Sequence, residues 1–381
     1  MRFLTGGESH GPGLTIIVDG VPAGLALDGA VIDADLRRRQ LGYGRGARQR
    51  IERDSARITG GVRQGKTTGA PIALWIENRD AVNWERVMSV TPVAEGPDAV
   101  TRLRPGHADL AGALKYGHED VRDVIERASA RETASRVAAG GVAKAVLAAV
   151  GIDVLSETIR IGDVTATARF DRDAIEASEV RCGDAEATAR MVRAIAAARD
   201  AGDTLGGVTA VRAANVMPGL GSYAQWDRRL DGRIAQALAS IPSAKGVEVA
   251  DAFDAAGERG SRVHDPIERR GTGFGRPRNR AGGLEGGVTN GEDVVVRVAF
   301  KPISTLMKPL PSVDLRTGDP APAHVERSDV CIIPAAGVVA EAMLALVLAD
   351  ALCAKFGEDT IDDIADAVAR YRERLKPIAD R

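Results

Sequence analysis

The sequence has few cysteines and few aromatic residues. Its three cysteines, Cys182, Cys331 and Cys353, are too few and too far apart for a disulfide framework or a cysteine-based zinc site. They are typical of buried thiols in a reducing cytoplasm, so we expect a cytoplasmic protein. Aromatic residues make up 3% of the chain, whereas 43 residues are glycine. This composition indicates tight turns, with binding surfaces built mostly from backbone and charge.

A strong net charge and a membrane span are also missing. The formal net charge is −2, so an anion would have to be recognised by a local cluster of cations rather than by the field of the whole protein. No apolar stretch follows the first charged residue, and we expect no secretory signal. The longest apolar run, residues 331–352, contains Pro334, Glu341 and Asp350, which favours a buried helix over a membrane span.

β-Branched segments alternate with alanine-rich segments, which predicts an α/β fold in one domain, residues 1–381. Strands are predicted at residues 14–18, 72–76, 208–211 and 294–300. Helices are predicted at residues 32–41, 131–150, 185–201, 228–240, 334–356 and 362–375. The polar segment 257–282 is predicted to be one long loop.

Two distant segments resemble each other and indicate an internal duplication. Residues 60–65 and 286–291 both read Gly-Gly-Val-x-x-Gly, and each precedes a predicted strand. Residues 60–67 also match the P-loop pattern, which requires a helix that begins at the lysine. Gly69 and Pro71 would interrupt that helix in its first turn. We therefore expect a hairpin turn, with a P-loop kinase as the alternative.

Two of the five histidines lie in glycine-flanked turns. His10 belongs to Gly-Glu-Ser-His-Gly, and His107 belongs to Arg-Pro-Gly-His-Ala-Asp. An imidazole presented on such a turn can act as a general acid near neutral pH. The alternative is a polar turn without a catalytic role.

Eight arginines and no lysine lie within residues 37–57. The exclusive use of arginine favours bidentate binding of carboxylate or phosphate. Because successive helical side chains point about 100° apart, only one or two of residues 37–39 can face a common site, where Arg45 and Arg48 could join Arg39. The alternatives are a solvated basic surface and a nucleic-acid-binding patch, although aromatic residues for base stacking are scarce nearby.

Two further regions offer groups that could bind a phosphate. Ser129 and Glu132 have the spacing of a capping box at the start of an alanine-rich helix. A helix N-terminus beside Arg127 is a suitable place for a phosphate. Residues 301–305, Lys-Pro-Ile-Ser-Thr, supply more donors, and residues 327–329 place a cation and a base before another helix.

Seven motifs, in sequence order, resemble those of the chorismate synthase family. They begin at residues 7 (Gly-Glu-Ser-His-Gly), 41 (Leu-Gly-Tyr-Gly-Arg), 104 (Arg-Pro-Gly-His-Ala-Asp), 127 (Arg-Ala-Ser-Ala-Arg-Glu-Thr), 279 (Asn-Arg-Ala-Gly-Gly), 301 (Lys-Pro-Ile-Ser-Thr) and 327 (Arg-Ser-Asp-Val-Cys). The resemblance implies a lyase of the shikimate pathway to aromatic amino acids. Such a lyase converts 5-enolpyruvylshikimate 3-phosphate to chorismate by 1,4-anti elimination of phosphate and requires reduced FMN. It further implies a β-α-β sandwich of antiparallel sheets around a helical layer, assembled as a homotetramer.

The same resemblance implies roles for individual residues. Substrate anions would be held by Arg39, Arg45, Arg48, Arg131 and Arg327. FMN would be contacted by Arg127, Ala128, Ser129, Ser243, Ala244, Asn279, Gly286, Lys301, Pro302, Ile303, Ser304, Thr305 and Arg327. His10 would assist the departure of phosphate, His107 would stabilise the anionic reduced flavin, and Asp329 would take up the ring proton near the flavin N5. No metal, nucleic acid or membrane is implied. Whether NADPH acts as an indirect reductant or a separate flavin reductase is needed stays open.

Overall fold

A computed structural model describes residues 1–46, 53–94, 96–271, 273–326 and 328–376. The strands are β1 (Arg2–Gly6), β2 (Gly13–Asp19), β3 (Ala56–Gly60), β4 (Val62–Arg63), β5 (Lys66–Thr67), β6 (Ile72–Glu77), β7 (Asp153–Ile161), β8 (Val164–Thr165), β9 (Gly207–Ala214), β10 (Ala244–Val249), β11 (Glu268–Arg270), β12 (Gly273–Gly275), β13 (Leu284–Glu285), β14 (Val288–Thr289), β15 (Val294–Phe300), β16 (Pro311–Val313) and β17 (Pro320–Pro322). The helices are α1 (Gly29–Gln40), α2 (Asp109–Tyr116), α3 (Arg122–Ala128), α4 (Thr133–Ala148), α5 (Arg172–Ala177), α6 (Ala185–Asp200), α7 (Leu230–Ala239), α8 (Ala252–Ala255), α9 (Gly260–Val263), α10 (Ile333–Phe356) and α11 (Ile361–Arg374).

Two antiparallel sheets enclose a layer of helices, as expected. The first sheet has the strand order β1-β2-β6-β3, and the second has the order β10-β15-β9-β7-β8. Helices α1 and α4 pack against the first sheet, while α7 and α10 pack against the second, and α4 lies against α10 between them. One hydrophobic cluster includes residues of both sheets and of the helices between them. On this ground we propose that residues 1–381 form a single domain.

The two sheets repeat one pattern of connections, which confirms the predicted internal duplication. In the first repeat, α1 follows the second strand, β3 and β6 complete the order β1-β2-β6-β3, and α4 follows. In the second repeat, α7 follows the second strand, β10 and β15 complete the order β7-β9-β15-β10, and α10 follows. The hairpins β4–β5 and β13–β14 occupy equivalent places, each just before the fourth strand of its repeat.

Helix α10 is apolar on nearly every face because it is surrounded by protein. It is long and apolar enough to cross a membrane, but 89% of its most apolar window is buried. A Cβ atom on Gly140 of α4 would overlap Ala342 of α10, so the two helices approach each other closely. The apolar run that the sequence presented is therefore the central helix of the core.

A buried carboxylate ties this helical layer together. Glu341 of α10 has a fully buried side chain and accepts hydrogen bonds from Arg38 of α1 at 2.8 Å and from Lys144 of α4 at 2.6 Å. The hydroxyl of Ser156 in β7 donates to the same carboxylate at 2.7 Å. Burial alone would raise the pKa of Glu341, but the charges of Lys144 and Arg38 hold it well below its ordinary value. The pairing stabilises the contact of two helices and a strand with α10.

The predicted elements are present, with one region that differs. All six helices and four strands that the sequence predicts are found, with ends that differ by at most three residues. Residues 60–67 form the predicted hairpin, in which Gln64 and Gly65 both have positive φ angles. The prediction of a single loop at 257–282 is wrong, because it contains α9 and the hairpin β11–β12. Three-residue strands show too little periodicity for a sequence pattern to reveal them.

The structure predicts different effects for two neighbouring arginines of α1. Arg38→Ala should lower the free energy of unfolding by about 3 kcal/mol, because removing one partner of a buried ion pair leaves the other under-compensated. Arg37 is exposed on the same helical turn, and Arg37→Ala should leave the unfolding curve unchanged. Equilibrium urea unfolding measures both. Equal effects of the two substitutions would contradict the role assigned to Glu341.

Candidate active site

A cavity of about 560 Å³ lies where several turns between the main elements meet. Its wall is formed by the turn between β1 and β2, the segments before α2 and α4, the loop after β15, and the segment before α10. The layers of the sandwich thus bring together motifs that are far apart in the sequence. The volume is in the range of roughly 300–1,000 Å³ that is typical of small-molecule sites.

His10 is held in the cavity wall by a buried carboxylate. Its Nδ1 atom lies 2.9 Å from Oε1 of Glu126, and its backbone N–H donates to Oε2 at 2.8 Å. The ring stacks on Trp84 with 3.9 Å between ring centroids. Burial raises the pKa of Glu126, but hydrogen bonds and charge from His10, with the charge of Arg122, lower it overall. The ionised carboxylate therefore accepts a hydrogen bond from the Nδ1–H group of His10, so that proton exchange with a ligand would use Nε2.

His107 is oriented in the same way by a second carboxylate. Its Nδ1 atom contacts Asp109, which also accepts hydrogen bonds from Arg104 at 2.9 and 3.0 Å. Burial opposes ionisation of Asp109, but the hydrogen bonds from His107 and Arg104 hold its pKa well below the ordinary value. Because the carboxylate is ionised, Nδ1 of His107 carries the proton that faces it. The second nitrogen, Nε2, is again the atom for exchange.

Hydroxyl and ammonium groups form another part of the wall. Nζ of Lys301 donates to Gly106 O and to Ser304 Oγ, both at 2.8 Å. An ammonium group has three donors, so one donor of Lys301 can serve a ligand. Burial and the charge of Lys245 lower the pKa of Lys301. The hydroxyl of Ser129 lies in the same cavity and donates to Ser9 Oγ at 3.1 Å.

The predicted capping box is only half formed. Ser129 caps a short 3-10 turn at Ala130–Glu132, where its Oγ accepts a hydrogen bond from the Arg131 N–H at 3.3 Å. The side chain of Glu132 does not complete the box, because it accepts from Arg136 at 2.9 Å instead. The long helix α4 then begins at Thr133.

Three of the predicted substrate arginines lie directly behind the cavity wall. Arg39 and Arg131 share the buried carboxylate of Asp54 at 3.3 and 2.6 Å, and Arg45 pairs with Asp329 at 2.8 Å. Burial, the largest influence, lowers the pKa of Arg39 to about 10. The Nε atom of Arg45 is buried and has no hydrogen-bond partner among the residues described. A buried donor of this kind is costly unless a ligand or water satisfies it.

The structure brings together ten of the residues that the sequence predicted for the site. They are His10, His107, Ala128, Ser129, Ser243, Lys301, Ile303, Ser304, Thr305 and Asp329. Outside the lining lie Arg39, Arg45, Arg131, Arg127, Ala244, Pro302, Asn279 and Gly286. Arg48 and Arg327 fall outside the described residues.

Two of the residues outside the lining have structural partners instead. Arg127 donates to the backbone oxygens of Gly7 and Thr5, both at 3.1 Å, and so fixes the strand that leads to His10. Asn279 donates to Asp293 O at 2.7 Å and accepts from the Gly283 N–H at 2.8 Å. These contacts order the chain locally and leave both side chains away from the cavity of this chain.

Sequence reasoning missed several lining residues. They are Ser9, Asp80, Trp84, Arg104, Glu326 and Ser328. Ser9, Arg104 and Ser328 stand inside motifs that had been singled out, so their neighbours were a signal. Trp84 and Glu326 stand in irregular segments without a motif, and only the fold shows that they line the same cavity as His10 and His107.

Comparisons with known proteins agree with this geometry. The sequence matches the family model described as chorismate synthase over residues 1–353. It is 56% identical to the chorismate synthase of Moorella thermoacetica over 99% of this chain and 100% of that protein. It is 55% identical to that of Desulforudis audaxviator over 99% of this chain and 98% of the relative. A crystal structure of a chorismate synthase has a TM-score of 0.78 at 41% identity and covers 98% of both chains. The chain belongs to the chorismate synthase family.

Proposed function

We propose that the cavity is the place where this chain eliminates phosphate from 5-enolpyruvylshikimate 3-phosphate to give chorismate, with reduced FMN bound beside the substrate. As a member of its family the chain is a carbon–oxygen lyase of the shikimate pathway. The observation that carries the assignment to this cavity is the meeting of two histidine–carboxylate pairs in one wall. An arginine cluster lies behind the same wall.

The cavity has the donors that FMN requires. Ser129, Ser304 and the ammonium of Lys301 present hydroxyl and N–H groups suited to phosphate and carbonyl oxygens. Ile303 and Trp84 supply apolar surface for a planar ring. We assign FMN binding to these residues with Ala128, Ser243 and Thr305 as neighbours. When bound, reduced flavin supplies electron chemistry that side chains lack.

The substrate carries two carboxylates and a phosphate, and the arginine cluster matches this charge. Arg45 is the best-placed member, because its partner Asp329 lines the cavity and its buried Nε needs an acceptor. Arg39 and Arg131 add positive charge from behind Ala130. A substrate carboxylate would complete the hydrogen bonds of this group.

Two side chains are assigned to the movement of protons, and a third is assigned to the stabilisation of charge. His10 would donate the Nε2 proton to the departing phosphate, because Glu126 holds Nδ1. His107 in its imidazolium form would favour an anionic neighbour electrostatically. Asp329, fixed by Arg45 at 2.8 Å and by the Gly46 N–H at 2.6 Å, would take the ring proton.

The two alternative functions find little support in the fold. Lys66 lies in the hairpin β4–β5 rather than at the start of a helix, whereas a P-loop kinase needs the helix. Arg39, Arg45 and Arg131 are buried on carboxylates instead of forming an exposed basic surface. A nucleic-acid-binding module needs that surface.

We further propose that the enzyme is cytoplasmic. The three cysteines are free and buried, as suits a reducing compartment. Burial raises the pKa of the Cys331 and Cys353 thiols to about 12 and about 11, which keeps them protonated.

We propose a homotetramer in which the outer face of the first sheet is one subunit contact. Leu4 is 70% exposed and stands directly opposite Ile17 on the neighbouring strand. Trp75 lies on the same face, because its partner in β2 is Thr15, two residues from Ile17. Such contiguous exposed apolar patches mark association surfaces.

The contact is tested by light scattering after size-exclusion chromatography. Wild-type protein should have the mass of a tetramer, and the double substitution Leu4→Asp/Ile17→Asp should give a smaller species. Val90, which is 99% exposed, supplies the control, since Val90→Asp should keep the tetramer. A monomeric wild-type protein, or a double variant with unchanged mass, would contradict the proposal.

Substitution of the two cavity histidines should affect different properties of the enzyme. His10→Ala should lower kcat by about 10²–10⁴, the range for a lost general acid, with FMN still bound. His107→Ala should instead move the titration of bound reduced FMN to higher pH in an anaerobic spectral experiment. His118→Ala is the matched control, because His118 pairs with Asp123 outside the cavity lining. If the flavin titration moves with His10 and not with His107, the two roles are exchanged.

A further inference from the structure

A continuous series of ion pairs joins the two cavity histidines. The series begins at Glu126, the carboxylate that binds His10. Nη1 of Arg122 donates to Glu126 at 3.2 Å and also to Glu326 at 2.7 Å. On the other side, Arg104 lies 3.9 Å from Glu326 and donates to Asp109, the partner of His107. Charges of opposite sign alternate along the whole path.

Glu326 stands at the centre of this series and also faces the cavity. It lines the cavity wall, and its carboxylate lies 3.2 Å from Nε2 of His324. Burial would raise the pKa of Glu326, but hydrogen bonds from His324 and Arg122 and the charges of Arg122 and Arg104 lower it to about 2. The group is therefore an anion throughout the working pH range, placed between two arginines.

We propose that Glu326 is a positioning residue that couples the protonation of His10 to that of His107, an inference that rests on the function proposed above. Without the negative charge of Glu326, the positive charges of Arg122 and Arg104 would no longer be offset. They would neutralise more of the charge of Glu126 and Asp109, and the imidazolium form of each histidine would be disfavoured. With the charge of Glu326, the two pairs belong to one series of ion pairs, so that a proton lost from one histidine changes the potential at the other.

Apart from His324, whose Nε2 lies 3.2 Å from Glu326 and which loses that partner in Glu326→Gln, the charged groups around the cavity keep their contacts when Glu326 is changed. Asp80, Lys301 and Asp329 line the cavity. Arg45 and the backbone N–H of Gly46 hold Asp329. Their effect on the histidines is the same in every variant. The effects of removing Glu326, an anion, and Arg122, a cation, can therefore be compared directly.

The coupling predicts shifts of opposite sign in the pH dependence of kcat. Glu326→Gln removes an anion, so the alkaline limb, which needs protonated His10, should move to lower pH by about one unit, as for other nearby charges. Arg122→Gln removes a cation, and the limb should move to higher pH. KM and FMN affinity should change by less than about threefold in both variants, because neither group is assigned to ligand binding. Glu326→Asp retains the charge and should restore most of the wild-type profile.

A purely structural role would lower activity without moving the limb, or would move it in the same direction in both variants. Glu248→Gln is the matched control, because Glu248 pairs with Arg297 at 3.6 Å on the second sheet, and it should reproduce the wild-type profile. Thermal unfolding establishes that each variant is folded. If Glu326→Gln does not fold, Arg122→Gln serves as the background in which His107→Gln should no longer shift the limb, because Arg122 links Glu126 to Glu326.

His107→Gln measures the coupling itself, through the residual activity. It should shift the limb in the wild-type background and have no such effect in Glu326→Gln. The inference would be overturned if His107→Gln shifted the alkaline limb equally in both backgrounds. It would also be overturned if the pH profiles of Glu326→Gln and the wild type coincided. Loss of activity in wild type and the Glu248→Gln control, with reduced FMN present, would instead count against the proposed function.

Discussion

Glu341 and Asp54 carry negative charge inside the protein, where an ion without a partner would cost several kcal/mol. Each is therefore surrounded by cations from elements that are distant in sequence. Glu341 binds Arg38 and Lys144, and Asp54 binds Arg39 and Arg131. Glu126, Asp109 and Glu326 at the cavity must likewise be paired with cations. The same electrostatic constraint therefore applies in the core and at the site.

The fold determines where these charges meet. Each repeat places its helices against one sheet, and the contact of α4 with α10 joins the repeats through their smallest side chains. The turns at the ends of these elements then form a common wall. Catalytic groups on loops are positioned by a rigid scaffold, and here the carboxylates behind His10 and His107 complete that positioning.

Much of the fold could be predicted from the sequence, because helix periodicity and β-branched runs are local signals. Of the site, only those residues that stand in recognisable sequence motifs could be predicted. His10, His107 and the 301–305 segment stand in such motifs, and the structure places them in one cavity. The contact of His10 with Glu126 spans 116 positions in the chain, and no local pattern reports it. The half-formed capping box at Ser129 has a local cause instead, because Arg136, four residues after Glu132, binds the Glu132 carboxylate.

The arginine cluster shows a second limit of the sequence. A run of arginines without lysine predicted binding of carboxylate or phosphate, but it could not show that Asp54 and Asp329 of this chain are themselves partners of these arginines. Burial decides between an exposed basic surface and an internal network, and burial depends on the tertiary packing. The small strands β11 and β12 were missed because three residues are too few for a period to appear.

We propose above that this chain eliminates phosphate in a cavity that binds reduced FMN. Anaerobic assays with 5-enolpyruvylshikimate 3-phosphate, in which released phosphate and chorismate are both quantified, test it most directly. We expect equal amounts of the two products when reduced FMN is present and neither product with oxidised FMN or without flavin. Formation of chorismate in the absence of reduced flavin, or no turnover in its presence, would contradict the account.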